Sequence, residues 1–523
     1  MRPHLLVLLA LSAGSCNGDT GEHNSATASD SSTDTDTGTG TDTISGTDST
    51  ATSTAGETDT TAGETDTTAG ETDTTGGTDV CGAEGICAQL EIMEAKALGS
   101  TGTDREGALV TVGVPLPESA AVMSVDQLGL VGADAGQFRP LAYHPGGQIS
   151  WVELDFPIDL AAGATAQVDL VAGDGAFGGP NMAKETADMI RIDTGAALFE
   201  IAKDGSSLLR SVKVKGEERL AEGVDIFATR DGIEYLGSKG TKTTVSLEQN
   251  GPVRSVVNVR GRLYSTENEP FLWFTARMHF VVGKAQVDVE LTFRNADQDE
   301  YNTLFFEDLG AKLTLQTEQS LEVTIAAQSG NSWTDTLADG GSATLHQAAA
   351  LEHPANTDNL DSVYGWPGCQ PPLAGVRCLP AYEVDNPGDP CRRSEGEACP
   401  AQCGDCEAYG FEFLPDLSVQ GLSVEFNGAP ALSPGNQEAA SYTTIQDGER
   451  HFTMAQRWMV NQFPASQRVD SDGQIVLRLR AMLDGIAADR LNWGGHLSRR
   501  FVLAFGDENP QEVYASQDHP LVA

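Results

Sequence analysis

Between residues 287 and 293 the apolar side chains Val287, Val289, Leu291 and Phe293 alternate strictly with Asp288, Glu290 and Thr292. Successive side chains of a β-strand point to opposite faces. Only a strand half-buried on one side removes all four apolar groups from water and leaves the polar ones in it. A helix would scatter the same residues around its circumference. Comparable short runs lie near residues 110–114, 151–156, 253–263, 475–479 and 501–505, separated by Gly, Pro, Asn and Asp turn signals. Long amphipathic helical stretches are scarce, and regularly spaced short strands belong to sandwiches or barrels. The expected fold class is all-β.

The beginning of the chain reads as an address rather than as fold. Arg2 precedes an apolar run from Leu5 to Leu11, then Ser12-Ala13-Gly14-Ser15 and Cys16, the pattern of a signal peptide over residues 1–15. Small residues before Cys16 suit a peptidase that cleaves ahead of a lipid-modified cysteine of the palmitate-bearing kind, although Ala13 stands where Leu is usual. The alternative is an ordinary signal peptide cut nearby. No later stretch approaches the roughly 20 apolar residues that span a bilayer, so the expected membrane attachment is at Cys16. The implied location is the bacterial cell envelope, at the outer membrane or cell surface.

From Cys16 to about residue 80 lies a segment without hydrophobic periodicity. Residues 17–79 hold 14 acidic residues and no Lys or Arg, with Thr-Ala-Gly-Glu-Thr-Asp-Thr repeated from Thr54, Thr61 and Thr68. The heptads lack apolar a and d positions, so they do not encode a coiled coil. Such a segment buries too little apolar surface to offset the entropy of ordering and is expected to be a disordered linker. As a random coil it spans on the order of 45 Å, more when its charge extends it.

The chain has 76 acidic and 32 basic residues, a formal charge of −44. That argues against nucleic acid or an anionic lipid surface as partner, since both require counter-charge. Apart from Cys16 there are eight cysteines: Cys81, Cys87, Cys369, Cys378, Cys391, Cys399, Cys403 and Cys406. An even number in an oxidising compartment reads as disulfides. Cys81 and Cys87 are placed to close a small local loop. The other six crowd into a Gly/Pro-rich insertion, 364–407, whose pairing stays open among fifteen possibilities.

Gly113-Val-Pro-Leu-Pro117, Tyr143-His-Pro-Gly-Gly-Gln-Ile-Ser-Trp151 and Val152-Glu-Leu-Asp-Phe156 follow one another in an order that resembles the exo-rhamnogalacturonan lyase and YetA-like family. Further matches are Ile192-Asp-Thr-Gly195, Leu247 to Arg254, Phe280 to Lys284 with Thr292 to Asn295, Arg457 to Pro464, and Gly494-Gly495 before Phe501 to Phe505. The resemblance implies a small RIFT-type β-barrel over residues 81–182 and a large central β-sandwich over 185–506 that carries the insertion. Residues 507–523 are left as a C-terminal tail. The family turn Trp-Pro-Asp-Gly is His144-Pro145-Gly146-Gly147 here, while Trp151 is kept. The family's third domain, an α/α toroid, would need far more than the 18 residues after Phe505, which weakens any transfer of catalysis.

Uronate elimination needs a base near the proton alpha to a carboxylate and a group that neutralises developing charge. His451, Arg457 and Trp458, with Trp493 and His496, are the nominated carbohydrate-binding residues; no catalytic set is nominated. Their ordinary alternative is packing aromatics and a cross-strand charge. Cys399, Cys403 and Cys406 have a spacing suited to zinc, with Cys391 or a histidine as fourth ligand, but disulfides are the usual state outside the cell. Asp297 to Glu300 lacks the glycine and terminal glutamate of a calcium loop. No cofactor is expected. Hydrolase and phosphate-loop motifs are absent from the sequence. The resulting expectation is a surface-anchored, non-catalytic lipoprotein that binds a polysaccharide or an envelope partner. The alternatives are a lyase acting on rhamnogalacturonan-like polymers and a zinc-binding structural protein.

Overall fold

The computed structural model describes residues 85–95, 101–173, 179–240, 242–296, 303–327, 330–347, 376–377, 412–413, 422–435, 439–459, 462, 464–481, 489–518 and 520–523. Cys16, the 16–80 segment, Cys81, the 297–300 carboxylates and the six cysteines of the 364–407 insertion lie outside them. The architecture is all-β, as the alternation demands.

Six strands open the fold: β1 Ile86–Glu94, β2 Arg105–Pro115, β3 Leu128–Val131, β4 Gln137–Tyr143, β5 Ile149–Leu160 and β6 Thr165–Ala172. They form two small antiparallel sheets, β3-β6-β1 and β2-β5-β4. Both face one core of Ile92, Val110, Val114, Leu128, Val152, Leu154, Phe156, Val168 and Leu170. The turn that departs from the family pattern closes with Gly147 N donating to His144 O at 2.9 Å, and Gly147 sits at φ 89°, where glycine is favoured. His144 Nε2 lies 2.9 Å from the carbonyl of Leu116. A carbonyl only accepts, so Nε2 carries the proton and ties the turn to the end of β2.

Five short strands follow, β7 Ala183–Glu185, β8 Met189–Asp193, β9 Ala197–Ala202, β10 Ser211–Val214 and β11 Glu217–Glu218, as one antiparallel sheet in reverse order. Strands β12 to β32 then run at Leu220–Arg230, Ile233–Leu236, Thr244–Asn250, Arg254–Tyr264, Pro270–Val281, Gln286–Arg294, Leu304–Phe306, Asp308–Leu315, Glu322–Ala327, Ser332–Thr336, Ser342–Gln347, Val376–Arg377, Glu412–Phe413, Leu422–Phe426, Ala429–Gly435, Ala439–Asp447, Arg450–Gln456, Ala465–Asp470, Gln474–Arg480, Asp489–Leu491 and His496–Ala504. Their pairings trace a nine-stranded sheet, β14-β15-β16-β17-β32-β28-β27-β20-β21. A second sheet has eight strands, β13-β12-β19-β30-β29-β22-β25-β26. The pairing of Leu236 with Tyr264 joins the two.

The β7–β11 sheet and both large sheets share one core. Phe199 of β9 packs on Phe280 of β16 at 5.0 Å between ring centroids and on Phe505 at 6.4 Å, and Phe505 meets Phe452 of β28 at 5.1 Å. These tilted and edge-on contacts give aromatic pairs an attraction beyond burial alone.

The stretch expected as a tail is structured. Helix α1, Pro510–Asp518, crosses the back of the nine-stranded sheet, and β33, Leu521–Val522, pairs with β1. Val513 completes a small apolar cluster with Ala455, Val502 and Ala504, and Tyr514 packs 5.8 Å from Tyr442. Arg105 of β2 donates to the main-chain oxygens of Glu512 and Ala515 and forms an ion pair with Glu94 of β1; these two side chains are 1% and 2% exposed. One guanidinium thus joins the first domain to the end of the chain.

Removing one partner of a buried pair strands the other charge, at about 3–5 kcal/mol. Arg105→Ala is therefore expected to lower the unfolding free energy by about that amount in urea titrations. Arg139→Ala, which breaks a pair to Glu153 in which the arginine side chain is 52% exposed, should cost less than about 1 kcal/mol.

Candidate functional site

Strands β15, β16, β17 and β32 bury Val257, Val259, Ala276, Met278, Val287, Val289, Phe501 and Leu503. The intervening residues face away from that core, and register sorts them into rows. Arg262, Trp273, Arg294 and His496 make one row; Arg260, Thr275, Thr292 and Ser498 the next; Asn258, Arg277, Glu290 and Arg500 the third. His279 and Asp288 follow in the fourth, and Arg254 ends the face. Six arginines and two carboxylates thus project from one side of four strands, in a chain whose charge is −44. From Arg254 to Arg262 the face is about 27 Å long at the usual strand rise.

One end is covered by α1 and by β2, leaving a cavity of about 380 Å³ lined by Thr111, Arg254, His279, Asp288, Arg500 and Gln517 among others. Arg254 donates to Asp155 Oδ1 at 3.1 Å and to His279 Nδ1 at 3.0 Å. Because a guanidinium only donates, Nδ1 is an acceptor and the neutral imidazole carries its proton on Nε2. Asp155 also accepts from Thr111 at 2.6 Å and Gln249 at 2.9 Å, which locks the first domain onto the sandwich. Burial, reinforced by the charges of Arg254, Arg500 and Arg277 against the pull of Asp288, lowers the His279 pKa to about 4.

Asp288 receives Arg500 Nε at 2.8 Å and Gln517 Nε2 of α1 at 3.1 Å. Burial alone would raise its pKa; the charge and hydrogen bonds of Arg500 win and hold it below the usual carboxylate range. The Asp288 charge in turn raises Arg500, over the opposing cost of burial. Lys284 and Glu512 close the rim at 2.9 Å.

The other end is open. The Arg260 side chain is exposed and makes no hydrogen bond or ion pair among the described residues, and the exposed Arg294 side chain reaches only Thr275 Oγ1 there, at 3.4 Å. The Arg262 guanidinium stands 5.4 Å from the centre of the Trp273 ring, a cation–π contact. Burial works to raise the Glu248 pKa, but hydrogen bonds from Arg277 and Asn258, with the charges of Arg277 and Arg260, hold it down.

The residues nominated from sequence separate into three places. His496 closes the first row, and Trp493, 48% exposed, sits in a turn stitched to the end of β17 by hydrogen bonds between Asn295 and both Gly494 and Gly495. Arg457 extends the β28–β32 ladder, its N–H donating to Arg500 O at 2.9 Å, and its guanidinium lies 4.0 Å from the centre of the Trp458 ring. Trp458 is 39% exposed at φ 49°, a left-handed conformation that costs a bulky residue about 1–3 kcal/mol. His451 does not join them. It lies six residues from Arg457, roughly 20 Å along a strand, and lines a different cavity with Glu322 and Asn509. The arginines of β15–β17, His279 and Asp288 were not nominated; their only signal was their outward positions in alternating strands.

Residues 182–338 match the family model for the PcRGLX-like protein central beta sandwich domain. The chain is 27% identical over 195 residues to a protein named "Uncharacterized protein YetA" from Bacillus subtilis (strain 168), covering 34% of this chain and 22% of that protein. Among solved structures, a glycosyl hydrolase family 38 protein from Enterococcus faecalis aligns with TM-score 0.43 and 11% identity, over 85% of this chain and 48% of that one. An alpha-mannosidase from Enterococcus faecalis V583 gives TM-score 0.43 and 10% identity, over 85% and 47%. The aligned region thus spans less than half of each of these proteins.

His279 supplies a pH dependence. With a folded pKa of about 4 against roughly 6.5 when unfolded, the unfolded chain takes up a proton below pH 6.5 that the folded chain refuses until about pH 4. Stability carried by the neutral form is therefore intact above pH 6.5 and lost as pH falls toward 4. Between pH 7 and 4.5 the native protein should lose about 2 kcal/mol more unfolding free energy than His279→Gln, read from urea midpoints at each pH.

Proposed function

We propose that this chain is an exported, lipid-anchored protein that holds an anionic polysaccharide across the arginine-bearing face of β15, β16, β17 and β32, without turning it over. The observation that carries the reading is the open end of that face. There neither Arg260 nor Arg294 forms an ion pair among the described residues, exposed His496 stands opposite Arg294, and exposed Trp493 lies in the turn that leads into β32. Guanidinium groups meet carboxylates in paired hydrogen bonds, and indole rings stack on sugar faces, so the combination suits a polymer of uronates. Similarity to the PcRGLX-like sandwich, together with the lyase-like motifs, directs the choice to pectic polymers. Holding is favoured over elimination because His279 Nδ1 is engaged by Arg254 and Asp288 by Arg500 and Gln517. Attachment through Cys16 and the acidic 16–80 segment belongs to the same reading. So does a Cys81–Cys87 link, supported by the disulfide-bonded state of Cys87.

Titration with polygalacturonate and rhamnogalacturonan should show binding that Arg260→Ala/Arg294→Ala weakens at least tenfold, a loss of about 1.4 kcal/mol. Absence of binding to either polymer would remove the carbohydrate reading. Accumulation of unsaturated uronate, followed by its ultraviolet absorbance, would replace it with a lyase.

A further inference from the structure

A second cavity, of about 360 Å³, lies at the other end of the nine-stranded sheet, between β20, β27 and β28 and the turn that leads into α1. Register puts four threonines in one row, the last three of them lining the cavity: Thr334 of β21 opposite Thr324 of β20, Thr324 opposite Thr444 of β27, and Thr444 opposite Thr453 of β28. At the spacing of neighbouring strands the row covers about 14 Å. Thr324 and Thr334 bond to each other through their hydroxyls at 2.8 Å. Thr444 and Thr453 make no side-chain hydrogen bond among the described residues, although Thr453 is only 3% exposed and lines the cavity. Both residues line the cavity with hydroxyls that no other described side chain engages, so a ligand hydroxyl can donate to and accept from them.

The row beside it adds Gln446 opposite His451, and Asn509 stands on the facing turn. The lining contains carboxylates, Glu322, Asp507 and Glu508, and no Lys or Arg. Its electrostatic character is the reverse of the arginine face, and it repels an anion.

We infer that this cavity is a separate binding site for a neutral saccharide, whose hydroxyls pair with the Thr444 and Thr453 hydroxyls and with Gln446, His451 and Asn509. The site stands independently of the arginine face. Its occupant is a polyol because the Thr, Gln, His and Asn side chains accept from or donate to hydroxyls, and the three carboxylates accept hydroxyl hydrogen bonds while excluding an anion.

Calorimetric titration of the full chain with cellohexaose, xylohexaose and mannohexaose, each alone, is the test. At least one should bind with a sub-millimolar Kd. Thr444→Val/Thr453→Val should weaken it at least tenfold at unchanged melting temperature, while Arg260→Ala/Arg294→Ala leaves it unaltered and polygalacturonate fails to compete. Should the valine variant fold poorly, His451→Ala and Asn509→Ala, at exposed positions, give the same reading through loss of affinity. Failure of all three saccharides to bind overturns the inference, as does binding that survives these substitutions or is displaced by polygalacturonate.

Discussion

If β17 slipped by one residue against β16, Val287, Val289, Leu291 and Phe293 would turn outward and Asp288 and Glu290 would enter the core. The four apolar side chains are all at most 1% exposed. Burying each stabilises the fold by about 1.5–3 kcal/mol, so the slip would forfeit on the order of 6–12 kcal/mol, comparable with the whole stability of a domain. That penalty pins the pairing of β15, β16, β17 and β32. The arginine rows are then a consequence of core burial: their positions are fixed from behind, by residues on the opposite face of the same strands.

The covered half of the same face shows what charges do once register has placed them. Asp155 is 1% exposed and Asp288 receives three hydrogen bonds from Arg500 and one from Gln517. Desolvating such groups costs about as much as their pairing returns, so they contribute little net stability over an apolar contact. Their contribution is geometric. Asp155 accepts only where Arg254, Thr111 and Gln249 converge, which holds the small barrel-like domain in one orientation on the sandwich. On the opposite side, β33 enters the first sheet beside β1, and the backbone of α1 takes Arg105. The two ends of the folded region close on each other around the cavity.

Strand content was legible because alternation is a local property: residues 110–114, 151–156, 475–479 and 501–504 all fall in strands. Convergence was not, because proximity in a sheet is set by register rather than by sequence distance. His451, on β28, and Arg457, just past its end, look like neighbours in the sequence and lie far apart, whereas Arg262 and His496 share a row across 234 positions of chain. Net charge is silent on such convergence, since averaging 76 acidic residues against 32 basic ones hides six arginines that alternation sends to one surface. Residues 507–523 read as a tail because α1 offers little apolar periodicity. Only Val513 and Ala515 of that helix are buried apolar residues, Val513 against Ala455, Val502 and Ala504.

Opposed electrostatics on one sheet also constrain how any anionic ligand is approached. A chain of charge −44 repels a polyanion at long range, and at physiological ionic strength that repulsion decays over about 8 Å. The arginine face acts inside the same distance, where a guanidinium and a carboxylate exchange hydrogen bonds as well as charge. Under the proposed function, recognition there would be a matter of contact geometry and not of steering, and would depend on the rows being rigid. The side of the sheet that faces the core supplies that rigidity. The acidic threonine cavity at the other end faces no such conflict with a neutral sugar, whose binding is indifferent to the field around it.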